Sequence, residues 1–168
     1  MKEYKKPSVT SDIIIFTKVL DKLNVLLIKR KNPPYQGFYG FPGGFLEENE
    51  TIWQCALREL KEETDVTVYS LKELGVFSDP NRDERGWVIS DCFMTFVDYK
   101  DLKFKAQDDA QDAKLFEVTY YKENNYLKIN LKHDDIILEN TIDDNDNIIE
   151  SNLCFDHLKM LKRALESL

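Results

Sequence analysis

Three glutamates within five residues are the part of the sequence best suited to chemistry. Glu59, Glu62 and Glu63 are spaced three and four residues apart, so on a helix their carboxylates share one side. Like charges at this spacing repel by about 0.2–0.5 kcal/mol per pair, which favours a counter-charge. Carboxylate oxygens are ligands that Mg²⁺, Mn²⁺ and Ca²⁺ prefer. The spacing predicts a divalent cation site; a solvated acidic helix face is the alternative.

The residues around the cluster predict the helix that must position it. Thr51 is followed three residues later by Gln54, which is the pattern of a capping box at a helix start. Apolar residues then recur at helical spacing, namely Ile52, Trp53, Ala56, Leu57 and Leu60. Asp65 is expected to end the helix in a left-handed conformation, which aspartate tolerates less well than glycine.

The spacing of residues 44–66 resembles the signature of the Nudix hydrolase family. Seven of eight characteristic positions match, namely Gly44, Glu50, Arg58, Glu59, Leu60, Glu62 and Glu63. Asp65 stands where the family has glycine. Because Asp65 is not among the expected metal ligands, we interpret it as a departure that affects stability and not activity.

The resemblance implies a role for each matched residue. It implies that Glu59, Glu62 and Glu63 hold Mg²⁺, with Mn²⁺ as the alternative ion, and that the backbone of Gly43 contributes an oxygen. It also implies that Glu50 and Arg58, which are counted with these glutamates among the catalytic residues, form an ion pair. This pair would hold the loop that precedes the helix against the helix.

The general base is not identified by the matched segment. Residues 106–114 are interpreted as an acidic loop that offers Asp109 and Asp112, and also Asp108, just before an expected strand. One of these carboxylates could orient the attacking water or hold another metal ion. The sequence does not separate them.

Segments outside the matched helix resemble the ADP-ribose pyrophosphatase branch of the family. They are residues 35–45, residues 78–87 with Pro80 placed 14 residues after Val66, and the tripeptide Phe155-Asp156-His157. The resemblance implies hydrolysis of ADP-ribose to AMP and ribose 5-phosphate. A nucleoside triphosphate pyrophosphohydrolase and a non-catalytic module that binds an ADP-ribose-type ligand are the alternatives.

Several residues are candidates for binding such a substrate. Arg82 and Arg85 bracket a short acidic loop and could reach phosphate or ribose oxygens; internal ion pairs are the alternative. Arg30, at the end of a strand, is a second phosphate candidate. Tyr35 and Phe38 could stack on an adenine ring, although aromatic residues in such segments are often core. The last candidate for substrate binding is Gly44, in the segment of residues 35–45.

The rest of the chain is interpreted as one α/β domain over residues 1–168. Residues 9–18 and 25–31 predict a hairpin, residues 126–150 a second hairpin inserted in the domain, and residues 153–168 a closing amphipathic helix. The resemblance implies an α/β/α sandwich with a mixed β-sheet between helices. Because the chain closes with that helix, no winged DNA-binding helix is expected after it.

Composition narrows the classes of partner. The formal net charge is −8, from 23 basic and 31 acidic residues, and a nucleic-acid partner is not expected without a basic face. The longest apolar runs have four residues, far short of a membrane span. Three cysteines without a CxxC pair favour reduced thiols. We therefore expect a cytoplasmic protein that binds a small nucleoside diphosphate substrate, with a homodimer as a candidate assembly.

Overall fold

The computed structural model describes residues 4–102 and 113–168. The ten strands are β1 (Ser8–Val19), β2 (Lys22–Lys29), β3 (Tyr39–Gly40), β4 (Gly43–Phe45), β5 (Lys72–Phe77), β6 (Val88–Phe96), β7 (Ala113–Glu123), β8 (Tyr126–His133), β9 (Ile136–Asp143) and β10 (Ile148–Glu150). The helices are α1 (Ile52–Thr64) and α2 (His157–Glu166), with a 3-10 helix at Tyr99–Asp101. The candidate bases Asp109 and Asp112, and also Asp108, lie outside the described residues.

All ten strands belong to one sheet. Its order is β10-β9-β8-β7-β2-β1-β6-β5, with β3 paired to β2 and β4 paired to β1. Strands β1 and β6 run parallel, while the other described pairs are antiparallel. The sheet is therefore mixed, as predicted.

The central strand β1 carries an apolar run that is buried on both faces. Ile14 and Phe16 belong to the core that includes the apolar face of α2. Ile13 and Ile15 belong to a second core with Ala56 and Leu60 of α1. Successive side chains of a strand point to opposite faces, so a continuous apolar run is what a sheet covered on both sides requires. The predicted α/β/α sandwich is confirmed.

Element boundaries differ from the prediction where tertiary contacts decide them. The closing helix begins at His157 and not at residue 153, because Leu153 instead bridges in parallel to Tyr39. Strands β8 and β9 pair along their whole length and extend the sheet beyond β7. Ile129 and Ile142 of this hairpin are fully buried in the core shared with α2. Among the described helices, none is long and apolar enough to cross a membrane.

Candidate functional site

Helix α1 begins and ends as its sequence predicts. The Thr51 side chain accepts a hydrogen bond from Gln54 N–H at 3.2 Å, and the Gln54 side chain accepts one from Thr51 N–H at 2.7 Å. Asp65 adopts the left-handed conformation, with φ 56° and ψ 13°. Its carboxylate lies 2.6 Å from Lys61 Nζ, one turn back. This ion pair places a positive charge beside the helix C-terminus, where it is favourable.

Arg58 joins the loop before the helix to the helix itself. Its Nε and Nη2 donate to the two carboxylate oxygens of Glu50, at 3.1 and 2.7 Å. Its Nη2 also donates to the carbonyl of Phe45 at 3.1 Å. The hydrogen bonds from Arg58, with one from Glu47 N–H, lower the pKa of Glu50 to about 2. Glu50 and Arg58 are therefore paired, and a forked arrangement of this kind fixes geometry as well as charge.

Gly44 lies directly against the carboxylate of Glu59. A Cβ atom at Gly44 would stand 2.1 Å from Glu59 Oε1. The same oxygen accepts a hydrogen bond from Arg58 Nη1 at 2.7 Å. The absence of a side chain at Gly44 therefore lets strand β4 approach the helix closely enough to confine the Glu59 carboxylate.

Glu63 carries a partly buried carboxyl group with acidic neighbours. Gly43 N–H donates to its Oε2 at 2.8 Å, which favours the charged form. Burial, followed by the charges of Glu59, Asp12 and Glu62, outweighs that bond and raises the pKa of Glu63 to about 7. A divalent cation would remove this penalty, because it compensates the charges that repel one another here.

The acidic side chains of α1 do not form a finished coordination shell. Glu62 is 60% exposed at its side chain and lies 3.4 Å from Arg58 Nη1. Within residues 4–102 and 113–168, no three His, Cys, Asp or Glu side chains surround one point as metal ligands would. Glu59, Glu62 and Glu63 all lie in the last two turns of α1, and the Glu59 carboxylate is bound by Arg58 Nη1 at 2.7 Å. That the three carboxylates hold one ion stays a prediction. An oxygen-only set suits Mg²⁺ or Mn²⁺.

A cavity of about 660 Å³ opens beside this helix. Seven of the twelve predicted site residues that the structure describes line it, namely Arg30, Gly43, Gly44, Glu62, Glu63, Arg82 and Arg85. The other five, Glu50, Arg58, Glu59, Tyr35 and Phe38, are not among the lining residues. Its volume suits a ligand of nucleotide size. Acidic and basic side chains thus meet in one cavity, which fits a metal-assisted reaction on an anionic substrate.

The Arg82 side chain forms a buried ion pair with Asp156. Its Nε and Nη2 donate to the two oxygens of Asp156, at 2.9 and 2.7 Å, and its side chain is 3% exposed. The carboxylate of Asp12 lies 4.0 Å away. Arg82 therefore joins the segment after β5 to the start of α2, and direct contact with substrate stays a prediction.

Arg85 and Arg30 line the cavity, and the guanidinium group of each lies over an aromatic ring. Arg85 forms an ion pair with Asp83 at 2.6 Å, and its guanidinium carbon lies 4.9 Å from the ring centres of both Phe45 and Phe155. Arg30 donates from Nε to the carbonyl of Pro34 at 2.9 Å. Its guanidinium lies 4.8 Å from the centre of the Phe155 ring.

Tyr35 and Phe38 form an aromatic group beside the cavity. Their ring centres are 5.6 Å apart, and Tyr35 lies 5.0 Å from Phe155. Neither ring is among the residues that line the cavity. Stacking of adenine on either side chain stays a prediction.

Asp12 and His157, two buried residues that line the cavity, form a polar group of which only His157 lies in a segment singled out from the sequence. Asp12 lies 3.3 Å from His157 Nε2 and accepts a hydrogen bond from Ser90. His157 Nδ1 accepts one from Phe41 N–H at 3.0 Å, so Nε2 carries the proton that faces Asp12. Burial raises the pKa of Asp12, but His157, Ser90 and Arg82 together hold it below its usual range. The sequence did contain one indication of a special role for Asp12. It directly precedes the apolar run of residues 13–16, where a charged residue is unusual.

Comparison with known proteins identifies the family of this chain. A model of the NUDIX domain family matches residues 8–138. An ADP-ribose pyrophosphatase of Methanocaldococcus jannaschii is 42% identical over 135 residues, which are 80% of this chain and 73% of that protein.

Solved structures share the fold over almost the whole chain. A MutT/nudix family protein from Enterococcus faecalis superposes with a TM-score of 0.83 at 34% identity. The alignment covers 99% of this chain but 64% of that one, so the present chain spans less than two thirds of its length. The NUDIX domain of Shewanella oneidensis NrtR complexed with ADP ribose has a TM-score of 0.70 at 27% identity, covering 98% and 90%.

Proposed function

This chain belongs to the NUDIX domain family, and from that premise we propose that it hydrolyses the diphosphate of ADP-ribose to AMP and ribose 5-phosphate. The observation that carries the proposal is one cavity that is lined both by Glu62 and Glu63 of α1 and by Arg30, Arg82 and Arg85 of the loops. A curated relative is an ADP-ribose pyrophosphatase, and a solved neighbour holds ADP ribose. Both support this choice of substrate.

Nudix hydrolases act with a divalent metal ion, and we assign Mg²⁺ here, with Mn²⁺ as the alternative. Glu59, Glu62 and Glu63 would hold it, with an oxygen from the backbone of Gly43. The donors are hard oxygens and the pKa of Glu63 is raised by its acidic neighbours, which fits a dication. When bound, the ion neutralises diphosphate oxygens and lowers the pKa of a water molecule.

The chain's own residues supply positioning and charge. Gly43 N–H holds the Glu63 carboxylate at 2.8 Å, at the cavity wall. Arg58 holds the Glu59 carboxylate at 2.7 Å, beside Gly44, which lines the cavity. Arg30 and Arg85 place positive charge in the same cavity, where guanidinium groups match phosphate oxygens. Asp109 and Asp112 stay predictions for the group that accepts the proton of the attacking water.

The test is turnover of a panel of compounds by the purified protein with Mg²⁺ and, separately, with Mn²⁺. The panel contains ADP-ribose, other nucleoside diphosphate derivatives and nucleoside triphosphates, and the products are identified by chromatography. We expect ADP-ribose to give equal amounts of AMP and ribose 5-phosphate. Preferred turnover of triphosphates, or binding of ADP-ribose without turnover, would overturn the proposal in favour of one of the two alternatives.

Glu63→Gln is the matching variant. It keeps the shape of the side chain but removes the charge, so we expect turnover to fall by roughly a thousandfold or more, as for loss of a strong electrostatic contribution, with the fold intact. Glu139→Gln is the control, because Glu139 is an exposed residue of β9. Full activity in Glu63→Gln would contradict the metal assignment.

The homodimer stays a prediction, which sedimentation of the purified protein would test.

A further inference from the structure

Phe155 is a cavity residue whose backbone is held in an unusual conformation. It has φ +51°, a left-handed value that a bulky residue rarely adopts. It immediately precedes Asp156, the N-cap residue of α2, and its side chain lines the cavity. Strained residues of this kind persist where the surrounding structure over-determines them, and they cluster at functional sites.

The two residues that follow explain how the strained position is maintained. Asp156 is bound in a fork by the buried Arg82. His157 accepts a hydrogen bond from Phe41 N–H and faces Asp12. Because both side chains are fastened to other elements, the backbone before them has little freedom, and the Phe155 ring is directed to the cavity.

The Phe155 ring contacts two of the cavity's guanidinium groups. Arg30 lies 4.8 Å and Arg85 4.9 Å from its centre, within the range of a cation–π interaction. These arginines come from separate parts of the chain, one following β2 and the other preceding β6. Among the described residues they share one aromatic contact, which is Phe155.

The two guanidinium groups differ in how far they are already satisfied. Arg85 is paired with Asp83 through both Nε and Nη2. Arg30 has no carboxylate within ion-pair distance in the part of the chain that the structure describes, and its Nε alone donates, to a carbonyl. The remaining N–H groups of Arg30 are therefore suited to an anion in the cavity.

We propose that Phe155 is the positioning residue of a phosphate subsite, holding Arg30 and Arg85 against one ring so that they receive a phosphate of the substrate. The proposal rests on the proposed function and deepens it. It assigns a residue outside the acidic helix that determines the affinity for the substrate. The ring acts on binding and not on bond cleavage. Loss of the Phe155 ring is expected to raise KM and to leave kcat nearly unaltered.

The test compares three variants at Phe155. Phe155→Leu keeps an apolar side chain but removes the ring, Phe155→Tyr keeps the ring, and Phe155→Gly removes the ring while relieving the positive φ. We expect KM for ADP-ribose to rise about tenfold in Phe155→Leu and Phe155→Gly, equivalent to about 1.4 kcal/mol. We expect kcat within about twofold of wild type, and Phe155→Tyr close to wild type in both constants.

A binding measurement separates this role from activity. Calorimetry with α,β-methylene ADP-ribose, without added metal ion, should show a similar loss of affinity in the leucine and glycine variants and not in the tyrosine variant. An unchanged KM and affinity in Phe155→Leu and Phe155→Gly would overturn the inference. Equal losses in Phe155→Tyr would also overturn it, since the ring would then not be the cause.

The failure of the substrate assignment can be recognised separately. If wild type turns over another compound of the panel and not ADP-ribose, the proposed function fails, and the same KM ratios on that compound decide the role of Phe155. If wild type neither turns over any compound nor binds the methylene analogue, both proposals fail.

Discussion

The ion pair between Arg82 and Asp156 gives the most direct test of how the cavity is built. Both side chains are buried, at 3% and 7% exposure, and they meet through two hydrogen bonds. Asp156→Asn keeps the shape of the side chain but leaves the guanidinium without its main counter-charge. Removing one partner of a buried pair costs about 3–5 kcal/mol. Asp12, 4.0 Å from Arg82, remains as a weaker partner, so we expect a value of about 3 kcal/mol.

For a chain of this size, each kcal/mol shifts the melting temperature by about 2–4 °C. Asp156→Asn should therefore lower it by about 6–12 °C in thermal unfolding followed by circular dichroism at pH 7. Asp144→Asn is the control, because Asp144 pairs with Lys122 at the surface and such a pair contributes about 0–1 kcal/mol. The double variant Arg82→Met/Asp156→Leu should recover most of the loss, because apolar replacement of both partners removes the buried charge.

Two results would refute this reasoning. The first is a melting temperature of Asp156→Asn no lower than that of Asp144→Asn. The second is an Arg82→Met variant with unchanged stability and strongly weakened binding of ADP-ribose. That result would make Arg82 a ligand of the substrate, as the sequence predicted, and not a structural residue.

Two further outcomes follow from the geometry around α1. In Gly44→Ala, the new Cβ would displace a Glu59 carboxylate that lies 2.1 Å from its position; because that group ends a flexible side chain, we expect a small change in melting temperature but about a hundredfold loss of turnover. Normal turnover would contradict the placement of Glu59. The pKa of Glu50 is lowered from 4.5 to about 2, so its pairing with Arg58 stabilises the fold above about pH 4.5 and loses this effect as pH falls towards 2. Urea unfolding should show the stability gap between wild type and Glu50→Gln narrowing over that interval, and a constant gap would argue against the pairing.

The helix α1 could be predicted because its determinants are local. Thr51 and Gln54 are three residues apart, and Glu50 lies eight residues from Arg58. Within such distances, spacing alone limits what the side chains can reach. The same holds for Asp65, whose left-handed conformation follows from its place after the last helical turn.

The opposite wall of the cavity depends on partners that are far apart in the chain. Arg82 and Asp156 are separated by 74 residues, and Phe41 and His157 by 116. An arginine in a polar loop gives no sign of whether it faces substrate or a buried carboxylate. Likewise, Phe155 becomes significant only when the fold brings Arg30 and Arg85 to the same ring.

The attachment of residues 155–157 to three separate parts of the chain has a consequence for biosynthesis. The acidic helix is complete once residue 65 has been made, but the walls formed by Phe41, Arg30 and Arg82 gain their contacts only with residues 155–157. The carboxylates of α1 are therefore synthesised long before the residues that complete the walls of the cavity. Contacts of such long sequence separation form late and slowly, so catalytic competence is expected to arise only after α2 has left the ribosome.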